Sequence, residues 1–278
     1  TGGMVTVTAE SLSPLDEPGY RDLVALLRGL GSVAVACSGG LDSSLLLAAA
    51  HATLGERVLA LTAMTPYMAS WEIAEARELA AMLGVRHQVL ELPLAAEIAH
   101  NPPDRCYRCK LKLFSELKAV ATAEGCAWLA DGSNRDDLHD YRPGMRALRE
   151  LEIRSPLLEV GLGKAEIRRY AQALKLPVWN KPAYACLLTR LPHDAEVRPE
   201  LLRRVEAAER ALLALGFGTV RVRCHDDLAR IEVDRADQAR LLDETMADQV
   251  VAALTDCGFR HVTLDLQGYR RGSFNVVT

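Results

Sequence analysis

The chain has 278 residues, 49% hydrophobic and 25% charged, with a formal net charge of −4. These proportions suit a soluble protein of one large domain or one and a half ordinary ones, and the acidic balance leaves no electrostatic footprint for nucleic acid. No apolar run approaches the ~20 residues of a membrane span and the first residues lack the pattern of a secretory signal, so the expected location is cytoplasmic, where the seven cysteines stay reduced unless they bind metal or react.

Strand-like and helix-like patterns alternate through the first two thirds. Residues 33–37 are an apolar run leading into Ser38-Gly39-Gly40-Leu41-Asp42-Ser43, and a second apolar run, 45–50, follows. This reads as a buried strand, a tight glycine turn and the first turn of a helix. Residues 58–64 form a second strand, 70–83 an amphipathic helix, and 87–92 a third strand stopped by Pro93. Helix 107–123 precedes a short buried strand, 127–130, and helix 164–174 stops before Pro177. The rhythm predicts an α/β fold with a parallel sheet flanked by helices. Ligands in such sheets sit at the carboxyl ends of the strands, where the glycine turn, Thr62 to Thr65 and Asp131-Gly132-Ser133-Asn134 all fall.

Near residue 190 the rhythm changes. A helix over 199–215 precedes strands 220–224 and 231–233, a hairpin across His225-Asp226-Asp227; helix 237–257 and a last strand, 261–266, follow. The expected organisation is a parallel-sheet domain over 1–190 and a smaller α+β domain over 191–278.

The glycine turn carries the first chemistry. Two glycines let the backbone approach a ligand closely and adopt positive φ. Free N–H groups at a helix start favour an anion; the Ser38 and Ser43 hydroxyls add donors, and Asp42 can hold a metal ion beside phosphates. The string is neither a Walker A loop nor GxGxxG. It matches the pyrophosphate loop of the PP-loop ATP pyrophosphatases, which cleave ATP to AMP and pyrophosphate; an ordinary glycine-rich turn is the alternative. The resemblance implies an adenine nucleotide alpha hydrolase-like fold, with ATP at Ser38, Gly39, Gly40, Asp42 and Ser43 and Mg²⁺ at Asp42. Asp131 is either a second Mg²⁺ ligand or a turn-forming residue.

Three cysteines stand apart. Cys106 and Cys109 form a CxxC in Asn101-Pro102-Pro103-Asp104-Arg105-Cys106-Tyr107-Arg108-Cys109-Lys110, and Cys186 lies in Lys181-Pro182-Ala183-Tyr184-Ala185-Cys186-Leu187-Leu188-Thr189-Arg190. A lone CxxC is a redox pair, a zinc half-site or a set of cluster ligands. Zinc usually takes a second ligand pair, which is absent here. Three cysteines on one iron–sulfur cluster leave one iron open, and three small core residues are the bland alternative. Arg190 can neutralise substrate or lower the thiol pKa of Cys186. Arg221 and Arg223 alternate on one strand face, as a phosphate clamp or as solvated edge charges. Lys110 is either a substrate-carboxylate ligand or an ordinary surface lysine.

The two cysteine strings, with Asp131-Gly132-Ser133-Asn134 followed by Asp136-Asp137 and Asp140-Tyr141-Arg142-Pro143-Gly144, and with Asp265-Leu266-Gln267-Gly268-Tyr269-Arg270-Arg271-Gly272-Ser273, together resemble the LarE family. These matches run from about residue 33 to the end of the chain. That family comprises ATP-dependent sulfur transferases that build the nickel-pincer nucleotide cofactor of lactate racemase. The resemblance implies that a carboxylate of pyridinium-3,5-biscarboxylic acid mononucleotide is activated by AMP transfer and converted to a thiocarboxylate. Some members sacrifice their own cysteine, at the position of Cys186, and are left with dehydroalanine; others hold a [4Fe–4S] cluster on three cysteines that delivers sulfide. Cys106 and Cys109 beside Cys186 point to the cluster type. The resemblance also implies substrate phosphate on Arg221 and Arg223, the substrate carboxylate at Lys110, and a homo-oligomer such as the family's hexamer. The rival readings are another PP-loop enzyme, a tRNA thiolase or an amidating NAD synthetase, and a non-catalytic nucleotide or iron–sulfur sensor. The net charge argues against the thiolase, and no glutaminase domain fits the length.

Overall fold

The computed structural model describes residues 13–139, 143–182 and 184–270. Asp140, Tyr141, Arg142, Ala183, Arg271, Gly272 and Ser273 of the quoted strings lie outside the described residues. In order, α1 (Pro18–Leu30), β1 (Val33–Ala36), α2 (Leu41–Leu54), β2 (Val58–Met64), α3 (Ser70–Leu83), β3 (Arg86–Glu91), α4 (Arg105–Ala123) and β4 (Trp128–Ala130) build the α/β part. Its sheet has the order β3-β2-β1-β4 and every neighbouring pair is parallel. The central strand β1 is apolar without alternation because both its faces are covered. On one face Leu23 and Leu27 of α1, Leu45, Leu46 and Leu47 of α2, and Ile167 and Tyr170 of α7 (Lys164–Ala173) form one core. On the other, Leu113, Phe114 and Leu117 of α4 pack with Leu148 of α5 (Gly144–Glu150). The short α6 (Pro156–Glu159) precedes α7. Most of α2 is buried, as its unbroken run of Leu and Ala requires.

The remainder is α8 (Pro199–Ala214), β5 (Val220–His225), β6 (Leu228–Val233), α9 (Arg235–Leu241), α10 (Glu244–Asp256) and β7 (His261–Leu264). The second sheet runs β5-β6-β7, the first pair antiparallel and the second parallel. Its core, built on Leu202, Val205 and Leu212 of α8 and Leu254 of α10, also takes in Tyr67, Ile98, Leu187 and Leu188 from outside this part of the chain. The two parts thus share packing at the Cys186 segment.

Two expectations need correction. Helix 237–257 is two helices: the Asp243 carboxylate accepts from the Met246 N–H at 3.1 Å, starting α10 afresh, because a capping aspartate competes with continued helix. Helix 107–123 begins two residues earlier, at Arg105, so both CxxC cysteines lie inside the first turns of α4. Among the described residues no helix is long and apolar enough to cross a membrane.

Candidate functional site

The glycine loop closes on itself through its serines. The Ser38 N–H donates to Ser43 Oγ at 3.2 Å, the two hydroxyls stand 3.1 Å apart, and Ser44 Oγ donates to the Gly40 carbonyl at 2.7 Å. Gly39 has φ +70°, and a Cβ there would stand 2.8 Å from the Glu72 carbonyl oxygen and 3.1 Å from the Ala76 nitrogen on α3. Conformation and close approach both demand glycine. The loop after β4 presses on the same place: a Cβ at Gly132 would lie 2.8 Å from the Ser43 nitrogen. The carboxyl ends of β1 and β4 therefore present one surface, as the parallel sheet predicts.

Charged side chains gather there. Asp42, in the first turn of α2, forms an ion pair with Lys164 at the start of α7. Buried Asp131 accepts from the Ser133 and Ser155 hydroxyls at 2.5 and 2.6 Å, and Lys110 Nζ lies 4.0 Å from its carboxylate. The Lys110 stem crosses Gly144, where a Cβ would come within 2.6 Å of Lys110 Cδ. Lys181 reaches the loop from the far side: its ammonium donates to the Gly39 carbonyl at 3.1 Å and pairs with Glu75.

Two of the three cysteines, Cys109 and Cys186, meet at Tyr67. The Tyr67 hydroxyl stands 3.2 Å from Cys109 Sγ, and Cys186 Sγ donates to the Tyr67 carbonyl at 3.6 Å. Cys106 and Cys186 are exposed and Cys109 half-buried. Crowding by protein pushes the Cys186 thiol up, with the Cys109 and Cys106 thiols adding and Arg190 opposing. Burial also raises the Cys109 thiol, against the Tyr67 hydrogen bond. Among the described residues no trio of His, Cys, Asp or Glu stands at metal-holding spacing.

Arg190 turns away from the sulfur. It is buried, clamps Glu209 with two hydrogen bonds of 2.8 and 3.0 Å, and donates to the Ala185 and Cys186 carbonyls at 2.7 and 3.2 Å. It therefore holds the backbone that carries Cys186. Arg221 and Arg223 are buried as well, which removes the solvated-edge reading. Arg223 pairs with Glu232 at 2.9 and 2.8 Å. The Arg221 guanidinium lies between the Tyr184 and Tyr269 rings, at 5.5 and 5.2 Å from their centroids.

Sequence reasoning missed Tyr67, Glu72, Lys164, Glu209 and Glu232, which carry no local motif. Lys181 and Tyr184 stood inside a quoted string without a role. Glu72 is pushed up to about 7 by burial, against Lys181, and by Glu75. A carboxyl raised above its usual 4.5 costs stability as pH climbs from about 4.5 through about 7. Glu72→Gln is therefore expected to stabilise the protein by on the order of 2 kcal/mol at pH 8 and by little at pH 4. Thermal melts at the two pH values check this; equal changes at both would refute the shift.

An asparagine synthase family model matches residues 22–109, which contain the glycine loop and the CxxC. The chain is 40% identical over 256 residues, 91% of its length and 92% of the relative's, to the pyridinium-3,5-bisthiocarboxylic acid mononucleotide synthase of Lactiplantibacillus plantarum. It is 40% identical to an uncharacterized protein of Synechocystis over 87% of its length and 91% of that protein's. A Methanocaldococcus jannaschii protein, also uncharacterized, is 32% identical over 86% of this chain and 90% of its own. Likeness to a synthase along almost the whole of both chains, with a PP-loop built on a parallel sheet, places this chain in the LarE family of PP-loop enzymes.

Proposed function

We propose that the enzyme uses ATP to adenylate a carboxylate of pyridinium-3,5-biscarboxylic acid mononucleotide and replaces the activated oxygen with sulfur, in nickel-pincer nucleotide synthesis. The observation that carries this reading is the meeting of the glycine loop with the Cys186-bearing segment through Lys181. Nucleotide activation and sulfur delivery both need this one place.

The loop N–H groups and the serine hydroxyls take the phosphates. A substrate carboxylate oxygen attacks the α-phosphorus; the α–β anhydride bond breaks and pyrophosphate leaves. Lys110, beside Asp131, orients that carboxylate. Sulfur then adds to the acyl carbon, and the C–O bond to AMP breaks. Asp42 and Asp131 are the acidic side chains that fit Mg²⁺, which when bound offsets phosphate charge. Thiols are the right donors for an iron–sulfur cluster, so Cys106, Cys109 and Cys186 fit a [4Fe–4S] group in kind, though the present arrangement is not a preformed triad; when bound it supplies exogenous sulfide. The substrate is a small molecule, the assembly a homo-oligomer and the setting cytoplasmic in this reading.

Incubation with ATP, Mg²⁺ and the biscarboxylate mononucleotide is expected to yield AMP, pyrophosphate and the thiocarboxylate, read by mass spectrometry. ATP binding without substrate-dependent pyrophosphate release would favour a sensor instead. Arg221 and Arg223 hold the substrate phosphate in this reading. Arg221→Ala is expected to raise the substrate KM by roughly tenfold to a hundredfold, the loss of one charge-assisted hydrogen bond, while ATP affinity stays. Equal damage to ATP affinity would assign Arg221 to the nucleotide. Arg223→Ala also lowers stability, because it strips a partner from buried Glu232.

A further inference from the structure

Lys181 makes contacts that neither a surface lysine nor a simple structural tie requires. Its side chain is 11% exposed, although it lies on the segment that carries Cys186. Its ammonium contacts three different parts of the molecule. One is the Gly39 carbonyl in the glycine loop, at 3.1 Å; another is the Glu75 carboxylate on α3; the last is the Tyr184 ring, 5.5 Å to its centroid. Its charge also acts nearby: burial raises the Cys37 thiol, just before the loop, against the Gly39 N–H and Lys181, and burial raises Glu72 against Lys181. The backbone around Lys181 is held separately: Arg168 on α7 donates to the Trp179 carbonyl at 3.0 Å and the Lys181 carbonyl at 3.5 Å. At the other end Cys186 is fixed by the Tyr67 carbonyl and by Arg190. Tyr184, between them, lies against Arg221.

From these contacts we propose that Lys181 is a positioning residue that couples occupancy of the glycine loop to placement of the sulfur-delivering segment on the activated carboxylate. The inference rests on the adenylation reading above. An ammonium has three donors. A polyphosphate bound at the loop N–H groups brings negative charge beside Gly39 and competes with Glu75 for that ammonium. Glu75 is half-exposed and readily gives way to water, whereas the Gly39 contact is part of the loop. The lysine then stays on the loop while nucleotide is present, and the segment that carries Cys186 is registered against the adenylate. Without the ammonium, activation and sulfur delivery run out of step, and the adenylate is lost to water.

The test is the number of thiocarboxylates formed per pyrophosphate released by the complete enzyme with ATP, Mg²⁺ and mononucleotide. Lys181→Met is expected to release pyrophosphate with a raised KM for ATP, and to lower that ratio at least severalfold. Lys181→Arg, which keeps the charge and the donors, restores the ratio. An unchanged ratio in folded Lys181→Met overturns the proposal, because a merely structural loss lowers both products together. Glu75→Gln changes a half-exposed carboxylate and is the check if Lys181→Met does not fold. It removes the competitor for the ammonium and is expected to lower the KM for ATP severalfold with the ratio kept; an unchanged KM for ATP there counts against the proposal. Wild-type protein that releases no pyrophosphate would remove the adenylation reading itself, whereas pyrophosphate release with an unaltered ratio in Lys181→Met, or an unchanged KM for ATP in Glu75→Gln, removes only the role of Lys181.

Discussion

Asp42→Asn is expected to lower substrate-dependent pyrophosphate formation by on the order of a hundredfold or more. Asp42 stands in the first turn of α2, two residues after Gly40 and against Gly132, so in the proposed reading its carboxylate lies beside the phosphates and their Mg²⁺. Charge stabilisation by a metal is worth several kcal/mol, and each 1.4 kcal/mol is tenfold in rate. The same substitution weakens the ion pair with Lys164. Lys164→Met separates the two effects, because it breaks that pair and leaves the metal ligand. It is expected to retain most of the pyrophosphate release. Asp42→Asn protein that adenylates at the wild-type rate would show that Asp42 is not the metal ligand.

The other large effect concerns sulfur. If Cys106, Cys109 and Cys186 share one cluster, alanine at any one of them abolishes a broad absorption band near ~400 nm in anaerobically purified protein. Thiocarboxylate formation stops in all three variants, while pyrophosphate release survives. The geometry makes the experiment readable. Cys106 is exposed, so its truncation removes little packing. Cys109 borders the core beneath the second sheet and bonds the Tyr67 hydroxyl, so its variant needs a stability control. The glycine loop is a separate constellation held by its own serines. A sacrificial mechanism gives another pattern: only Cys186→Ala stops transfer, and intact-protein mass after turnover shows H₂S lost from Cys186. That mass change in active wild-type protein would sink the cluster assignment.

Much of this is legible in the sequence alone. The run 33–37, the loop glycine Gly39 and an apolar helix start determine the strand, loop and helix, because a buried parallel strand, positive φ and a buried helix each impose a local residue choice, whereas Gly40 is extended, with φ −85°. Alternation of strands and helices determined the parallel sheet, and the carboxyl-end rule located the loop and Asp131 on one surface. Spacing along the chain likewise singled out the CxxC and the alternating arginines. Tertiary structure alone decided which of these side chains meet a ligand surface and which meet each other. Arg190 and Arg223 are equally basic in the sequence, yet each is clamped by a glutamate, Glu209 on α8 and Glu232 on β6. Lys181 lies 142 residues from the carbonyl that it bonds, and Cys186 lies 119 residues from the Tyr67 carbonyl. Local patterns follow from backbone sterics and burial, which act within a few residues. Ion pairs and hydrogen bonds across such separations depend on how the packed elements cross, and no periodicity records that.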